Sequence, residues 1–240
     1  MPNSLISILI IIAMLLAAGF ALGLARRSNF APRWLFAAAL IVFINDALLT
    51  NLYGLLPDLF EGSDWNWQGK LLALAATLAI AAHPAFGWRR SGLTLVQAPG
   101  SAKSAALAVL LYCLFMLGLA LVFPNQEASA ERIAFQLTMP GLEEEPFYRG
   151  ILLLALNEAF RGRVRALGID WGWSAMLSSA LFGLAHAFSY SADGGASFDA
   201  LTMALTAVPS LLVVWLRERT GSLLLPVVMH NFGNSILAMV

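Results

Sequence analysis

The sequence predicts an all-α fold, a polytopic transmembrane helix bundle with about eight spans and one or two short interfacial helices. Of the 240 residues, 60% are hydrophobic and 12% are charged, whereas soluble domains average about 45–50% and 25%. The mean hydropathy is +0.77. Eight stretches also approach the about 20 apolar residues that cross a bilayer as a helix. These observations exclude an ordinary water-soluble domain.

The predicted spans follow one another with short loops between them. In chain order they cover residues 4–24, 34–55, 70–86, 102–123, 142–160, 173–190, 200–216 and 222–240. The fifth is the least apolar, because it opens with three consecutive glutamates and also carries Arg149. No repeat or linker divides the chain, so residues 1–240 are expected to form one membrane domain, with the polar spans in 142–240.

Two amphipathic stretches are too short to span a bilayer. Residues 87–98 mix two arginines with apolar side chains, and residues 128–139 mix Glu131 and Arg132 with apolar side chains. Such segments can lie in the headgroup layer. Each is therefore expected to be an interfacial helix or an ordinary loop.

The charged loops alternate in sign. The loops after the odd-numbered spans are basic, with Arg26, Arg27, Arg33, Arg89, Arg90, Lys103, Arg161, Arg163, Arg165, Arg217 and Arg219. The other loops are acidic, with Asp58, Glu61, Asp64, Glu127, Glu131, Asp193 and Asp199. Because basic loops stay in the cytoplasm, both termini should face outside. The net charge of zero gives no electrostatic reason to expect a nucleic-acid partner.

Four polar clusters interrupt the apolar spans, and each ionisable group there costs at least about 2.5–3.5 kcal/mol at a helix centre. The clusters are Glu143-Glu144-Glu145 with Arg149, Phe182 with His186, His230 with Asn234, and Asn45-Asp46. In the predicted orientation, the first three fall at similar depth in the outer leaflet. This convergence predicts one polar cavity that opens outward.

The residue types in these clusters suit the hydrolysis of a carbonyl compound. A glutamate near a histidine can hold and deprotonate a water molecule. His230 and Asn234 share a helix face at i,i+4 spacing and could donate to an oxyanion. Glu144, His186 and His230 would alternatively suit zinc with an open position for water. The non-catalytic interpretations are an acidic helix start for the glutamates and a packing role for a lone histidine.

Three motifs resemble those of the CPBP (Abi) family of intramembrane proteases, which includes the type 2 CAAX prenyl proteases. They are Glu144-Glu145-x-x-x-Arg149, Phe182-x-x-x-His186 and His230-x-x-x-Asn234, and they occur in this order on predicted spans. The resemblance covers about residues 142–240, which would be the catalytic core. Residues 1–140 carry no matching motif.

The resemblance implies a glutamate-dependent endopeptidase without a cofactor, although zinc stays open as an alternative. It implies that Glu144 is the general base, that His186 helps to hold the water, and that His230 and Asn234 stabilise the oxyanion. Glu145 would belong to the catalytic set, and Arg149 and Phe182 would position it. The implied partners are the lipid bilayer and a peptide or protein substrate with a membrane-held segment.

The predicted orientation differs from that of prenyl proteases, which act on cytoplasmic tails. A site that faces outward suits a bacterial inner-membrane or plasma-membrane enzyme that processes or sorts exported proteins, similar in this respect to the myxosortases. Two other classes stay open from the sequence. One is a non-catalytic bacteriocin-immunity or partner protein, and the other is a proton or ion transporter, because intramembrane acids and histidines also build relays.

Overall fold

The computed structural model describes residues 3–123 and 128–240. Its helices are α1 (Asn3–Ala25), α2 (Pro32–Thr50), α3 (Trp67–Ala82), α4 (Ala102–Val122), α5 (Ala130–Glu145), α6 (Leu153–Ala159), α7 (Trp173–Ala187), α8 (Ala200–Thr220) and α9 (Leu224–Met239). A π-helix, Pro146–Leu152, joins α5 to α6. Because this π-helix makes α5 and α6 one continuous rod, the nine α-helices of the described residues form eight helical rods. The predicted all-α membrane bundle is confirmed. Glu127 lies outside the described residues.

Four of these helices are long and apolar enough to cross a membrane, namely α1, α2, α4 and α8, and α3 and α9 are shorter apolar helices. The protein is therefore an integral membrane protein. Its main apolar core joins α1, α2, α6 and α7 around Leu35, Ile151 and Leu156, which are completely buried. A smaller core joins α4, α8 and α9 around Ala105, Leu216 and Met229.

The fifth rod differs from its prediction in length. It begins at Ala130, not at residue 142, so residues 128–139 are not an interfacial helix but chiefly the first turns of the rod. The hydropathy signal fails here because the charged groups find partners inside the protein. Glu131 accepts hydrogen bonds from Ser63 Oγ and, at 3.0 Å, from Trp67 Nε1. The three glutamates consequently lie near the middle of the rod, not at its outer end.

Other predicted boundaries shift as well. Residues 87–98 form turns and irregular loop, not a helix. The sixth span ends at Ala187, because the chain then forms a β-hairpin of β3 (Phe188–Ser191) and β4 (Gly195–Phe198). A second hairpin pairs β1 (Val164–Ala166) with β2 (Ile169–Trp171). Arg217 and Arg219 belong to the last turn of α8, not to a loop.

Charges segregate to the two ends of the bundle. At one end, Arg90 pairs with Glu158 at 2.6 Å and its carbonyl accepts a hydrogen bond from Arg217. At the other end lie the Glu131–Ser63 contact and the β3–β4 hairpin with its acidic flank Asp199, which caps α8. The acidic end is the end at which the polar cavity is found.

Candidate active site

The three glutamates occupy the last turn of α5, where this helix crosses α9 closely. At Gly141, a Cβ atom would lie 2.7 Å from the carbonyl oxygen of Val227, so only glycine allows this approach. The Gly141 N–H donates to Asn231 Oδ1 at 2.7 Å, which ties the two helices together next to Pro140. Small residues serve in this way at helix crossings in membranes. The crossing brings α9 and its histidine to the glutamates.

His230 lies between two of the glutamates. Its Nδ1 is 2.6 Å from Glu145 Oε1, and its Nε2 is 3.7 Å from Glu144 Oε2. Because a carboxylate only accepts, the hydrogen on Nδ1 points to Glu145. The Nε2 atom is the one directed to Glu144.

Glu145 also forms the ion pair that its i,i+4 spacing to Arg149 predicts, with 3.4 Å between Oε2 and Nε. Both side chains are buried, with 0% and 1% exposure. The Arg149 Nη2 donates to Ser210 Oγ at 2.9 Å, and Ser210 in turn donates to Ser179 Oγ at 3.0 Å. Residues of α7 and α8 thus hold the arginine, and the arginine holds Glu145.

The Phe182 ring joins the motifs physically. The Arg149 guanidinium carbon lies 4.2 Å from its centroid, and the rings of His186 and His230 lie 4.6 and 6.1 Å away. His186 Nδ1 is 2.8 Å from the Phe182 carbonyl oxygen, which can only accept, so Nδ1 carries the hydrogen. The Nε2 atom of His186 is left to accept or exchange a proton.

Lys70 is the site residue that sequence analysis missed. Its Nζ lies 2.6 Å from Glu143 Oε2 and 2.6 Å from Glu144 Oε1, from the first turn of α3. The available signal was a lysine inside an apolar span, which is costly unless it has a partner. Lys70 is the first residue of the predicted span 70–86, and the sequence does not show which side chains it contacts.

A cavity of about 440 Å³ leads to this cluster from the acidic end of the bundle. Glu143, Glu144, Lys70 and His186 line it, together with Asp46. Among the described residues, those that line the cavity do not include His230, whose Nε2 lies 3.7 Å from Oε2 of the lining residue Glu144. Asn234 lies one turn beyond His230 on α9, half-buried, and the structure shows no hydrogen bond from its side chain to any described residue.

The zinc alternative involves Glu144, His186 and His230. Among residues 3–123 and 128–240, no three His, Cys, Asp or Glu side chains are placed to hold one metal ion. Glu144, His186 and His230 therefore do not form a ligand cluster here. Their nearest polar partners are carboxylates, the Lys70 ammonium and the Phe182 carbonyl oxygen.

Comparison with known proteins agrees with the motifs. Residues 126–236 match the family described as type II CAAX prenyl endopeptidase Rce1-like. No curated protein and no solved structure gives a significant match. The match covers all three motifs, from the α5 glutamates to Asn234, and it supports membership of this region in the CPBP (Abi) family of CAAX-type membrane proteases.

Proposed function

We propose that the protein is an intramembrane glutamic endopeptidase that cleaves a membrane-held segment of an exported protein. The observation that carries the proposal is Glu144. It is a carboxylate on a polar cavity inside the bundle, with one oxygen held by Lys70 and the other directed to His230. Such a carboxylate suits a general base.

In the proposed reaction, Glu144 takes a proton from a water molecule as the water oxygen attacks the peptide carbonyl. His186, on the same cavity, accepts a hydrogen bond from this water through Nε2. The C–N bond then breaks, and the proton held by Glu144 moves to the leaving amine. Each proton is accounted for by the side chains alone.

The oxyanion of the tetrahedral intermediate would be stabilised from α9. His230 donates Nδ1–H to Glu145, and a proton on its Nε2 would be donated to the oxyanion. Asn234, one helical turn away, supplies the second donor.

Two observations support an outward-facing site. The cavity opens at the end of the bundle that carries the acidic loops, and the basic loops lie at the opposite end, which the positive-inside rule assigns to the cytoplasm. The cavity is therefore accessible to exported chains. Substrates of this kind, processed or sorted at the outer surface, resemble those of the myxosortases more than cytoplasmic prenylated tails.

The first test compares the wild-type protein with Glu144→Gln in cells. If the proposal holds, an exported protein is shortened only where the wild-type protein is present, as quantitative proteomics of the membrane fraction would show. In detergent, cleavage of a quenched reporter peptide that spans the cleavage site found by proteomics should fall at least about 10²–10⁴-fold, as for the loss of a general base.

The matched comparison is Glu143→Gln, which changes the neighbouring carboxylate in the same way. Its amide oxygen can still accept from Lys70 Nζ, so its effect on cleavage should be mild. If Glu143→Gln abolishes cleavage and Glu144→Gln does not, the general base is Glu143 and not Glu144. Full activity of both variants would refute the glutamate mechanism.

The second test concerns metal. Because the proposed reaction uses side chains alone, cleavage by the purified protein should survive strong chelation. If chelation abolishes activity and zinc alone restores it, the zinc alternative replaces the glutamic mechanism.

A further inference from the structure

Glu143 is one acid more than the glutamate pair of the family motif, and it is completely buried. A buried carboxylate without a partner is strongly destabilising. Arg149 is occupied by Glu145 and Ser210, so the extra acid needs another cation. Lys70 provides it at 2.6 Å, although it lies 73 residues earlier in the chain.

Lys70 binds more than the extra acid. The same Nζ contacts Glu144 Oε1 at 2.6 Å, so the ammonium bridges the extra acid and the proposed base. With Oε1 held, the second oxygen of Glu144 is directed to His230 Nε2 at 3.7 Å. Within the described residues this Oε2 is buried and accepts no hydrogen bond, which leaves its lone pairs to the reacting water.

The first turn of α3, which carries Lys70, is held in place by Asn66. Asn66 caps α3 by accepting from the Gly69 N–H at 2.9 Å, and its Nδ2 donates to the Leu49 carbonyl at 2.7 Å. The first turn of α3 is thus tied to α2. The lysine side chain is only 14% exposed, so its ammonium has little freedom to leave the carboxylates.

We propose that Lys70 is a positioning residue for the peptidase reaction: Glu143 anchors its ammonium, and the ammonium sets which oxygen of Glu144 faces the water. The proposal rests on the proposed function. It assigns a task to α3, which lies outside the part of the chain that matches the family. If Lys70 only neutralised Glu143, its contact with Glu144 would not be needed.

The test separates positioning from neutralisation with five variants, assayed by cleavage of the quenched reporter peptide and by thermal unfolding. Lys70→Met should lower kcat on the order of 10²-fold, the effect of misplacing a catalytic group by about 1 Å, with KM little changed. Its Tm should also fall, because Glu143 loses its partner. Lys70→Arg should recover part of kcat, and Lys103→Met, on the exposed start of α4, is the control without effect.

The double variant Lys70→Met with Glu143→Gln distinguishes positioning from neutralisation, because it removes the cation and the acid together. Positioning predicts that Tm returns towards the wild-type value while kcat stays low. Recovery of both would mean that Lys70 only neutralises Glu143, and wild-type kcat in Lys70→Met would also overturn the proposal. Glu144→Gln is the fifth variant. If it is active, Glu144 is not the general base, and the proposed role of Lys70 fails with it. If Glu144→Gln is inactive and Lys70→Met is active, only the role of Lys70 is refuted.

Discussion

The charged residues of the site come from distant parts of the chain, and every glutamate contacts at least one basic side chain. Glu143 and Glu144 share Lys70, and Glu145 contacts both Arg149 and His230. The motif spacing within one helix was enough to predict the pair of Glu145 and Arg149. The lysine could not be assigned in this way, since its contact depends on how α3 packs against α5.

Asn234 offers a prediction at this scale. If it donates to the oxyanion, its contribution exists only in the transition state, so Asn234→Ala should lower kcat by about 10²–10³-fold with KM little changed. Steady-state kinetics on the quenched reporter peptide in detergent would show this. A large rise in KM at constant kcat would instead mean that Asn234 binds the substrate in the ground state.

Asn231 is the matched control on the same helix. Its side chain accepts from the Gly141 N–H, so Asn231→Ala should lower Tm by loosening α5 from α9. The kcat of the folded protein should fall much less than in Asn234→Ala. Equal kcat losses in the two variants would show that α9 geometry, and not an oxyanion donor, is what both changes disturb.

At the scale of elements, the sequence predicted the number of rods and the approximate position of most of them. It failed where polar residues are satisfied by tertiary contacts. The start of α5 was hidden because Glu131 and Arg132 lower the hydropathy, and the hairpin after α7 was hidden because its strands are short and contain apolar residues that continue the span. Neither partner contacts nor strand pairing can be read from a local hydropathy window.

The close approach of α4 to α9 gives a prediction for the elements. Gly233, between His230 and Asn234, faces the Tyr112 hydroxyl, which a Cβ atom would strike. Gly233→Ala should push the helices apart at a cost of about 1–3 kcal/mol, as for overpacking, and should reduce both Tm and activity. Tyr112→Phe removes the obstructing hydroxyl, so the double variant should regain much of both.

Thermal unfolding and peptide cleavage, measured on both single variants and the double variant, would test this coupling. Strictly additive losses would show that Gly233 serves another purpose, because residues that do not touch usually add.

At the scale of the whole molecule, the arginine loops predicted an axis that the structure displays as two oppositely charged ends. The direction of this axis in the membrane is a prediction. A cysteine at Gly194, in the turn of the β3–β4 hairpin, should react with a membrane-impermeant maleimide added to intact cells. The background should carry Cys113→Ala, since Cys113 is the only native cysteine.

Labelling of a cysteine at Arg161, near the opposite end, should require permeabilised cells. Labelling in the reverse pattern would place the cavity in the cytoplasm and would withdraw the exported substrate.

The neutralisation of α5 by distant residues has a consequence for biogenesis. A newly made segment with three ionised glutamates, each costing about 2.5–3.5 kcal/mol at the bilayer centre, does not partition into lipid on its own. Its first counter-ion, Lys70, is synthesised earlier, whereas Arg149 and His230 emerge later. The segment is therefore expected to stay at the insertion machinery until it enters the bilayer beside α3. The step that assembles the bundle would then also complete the active site.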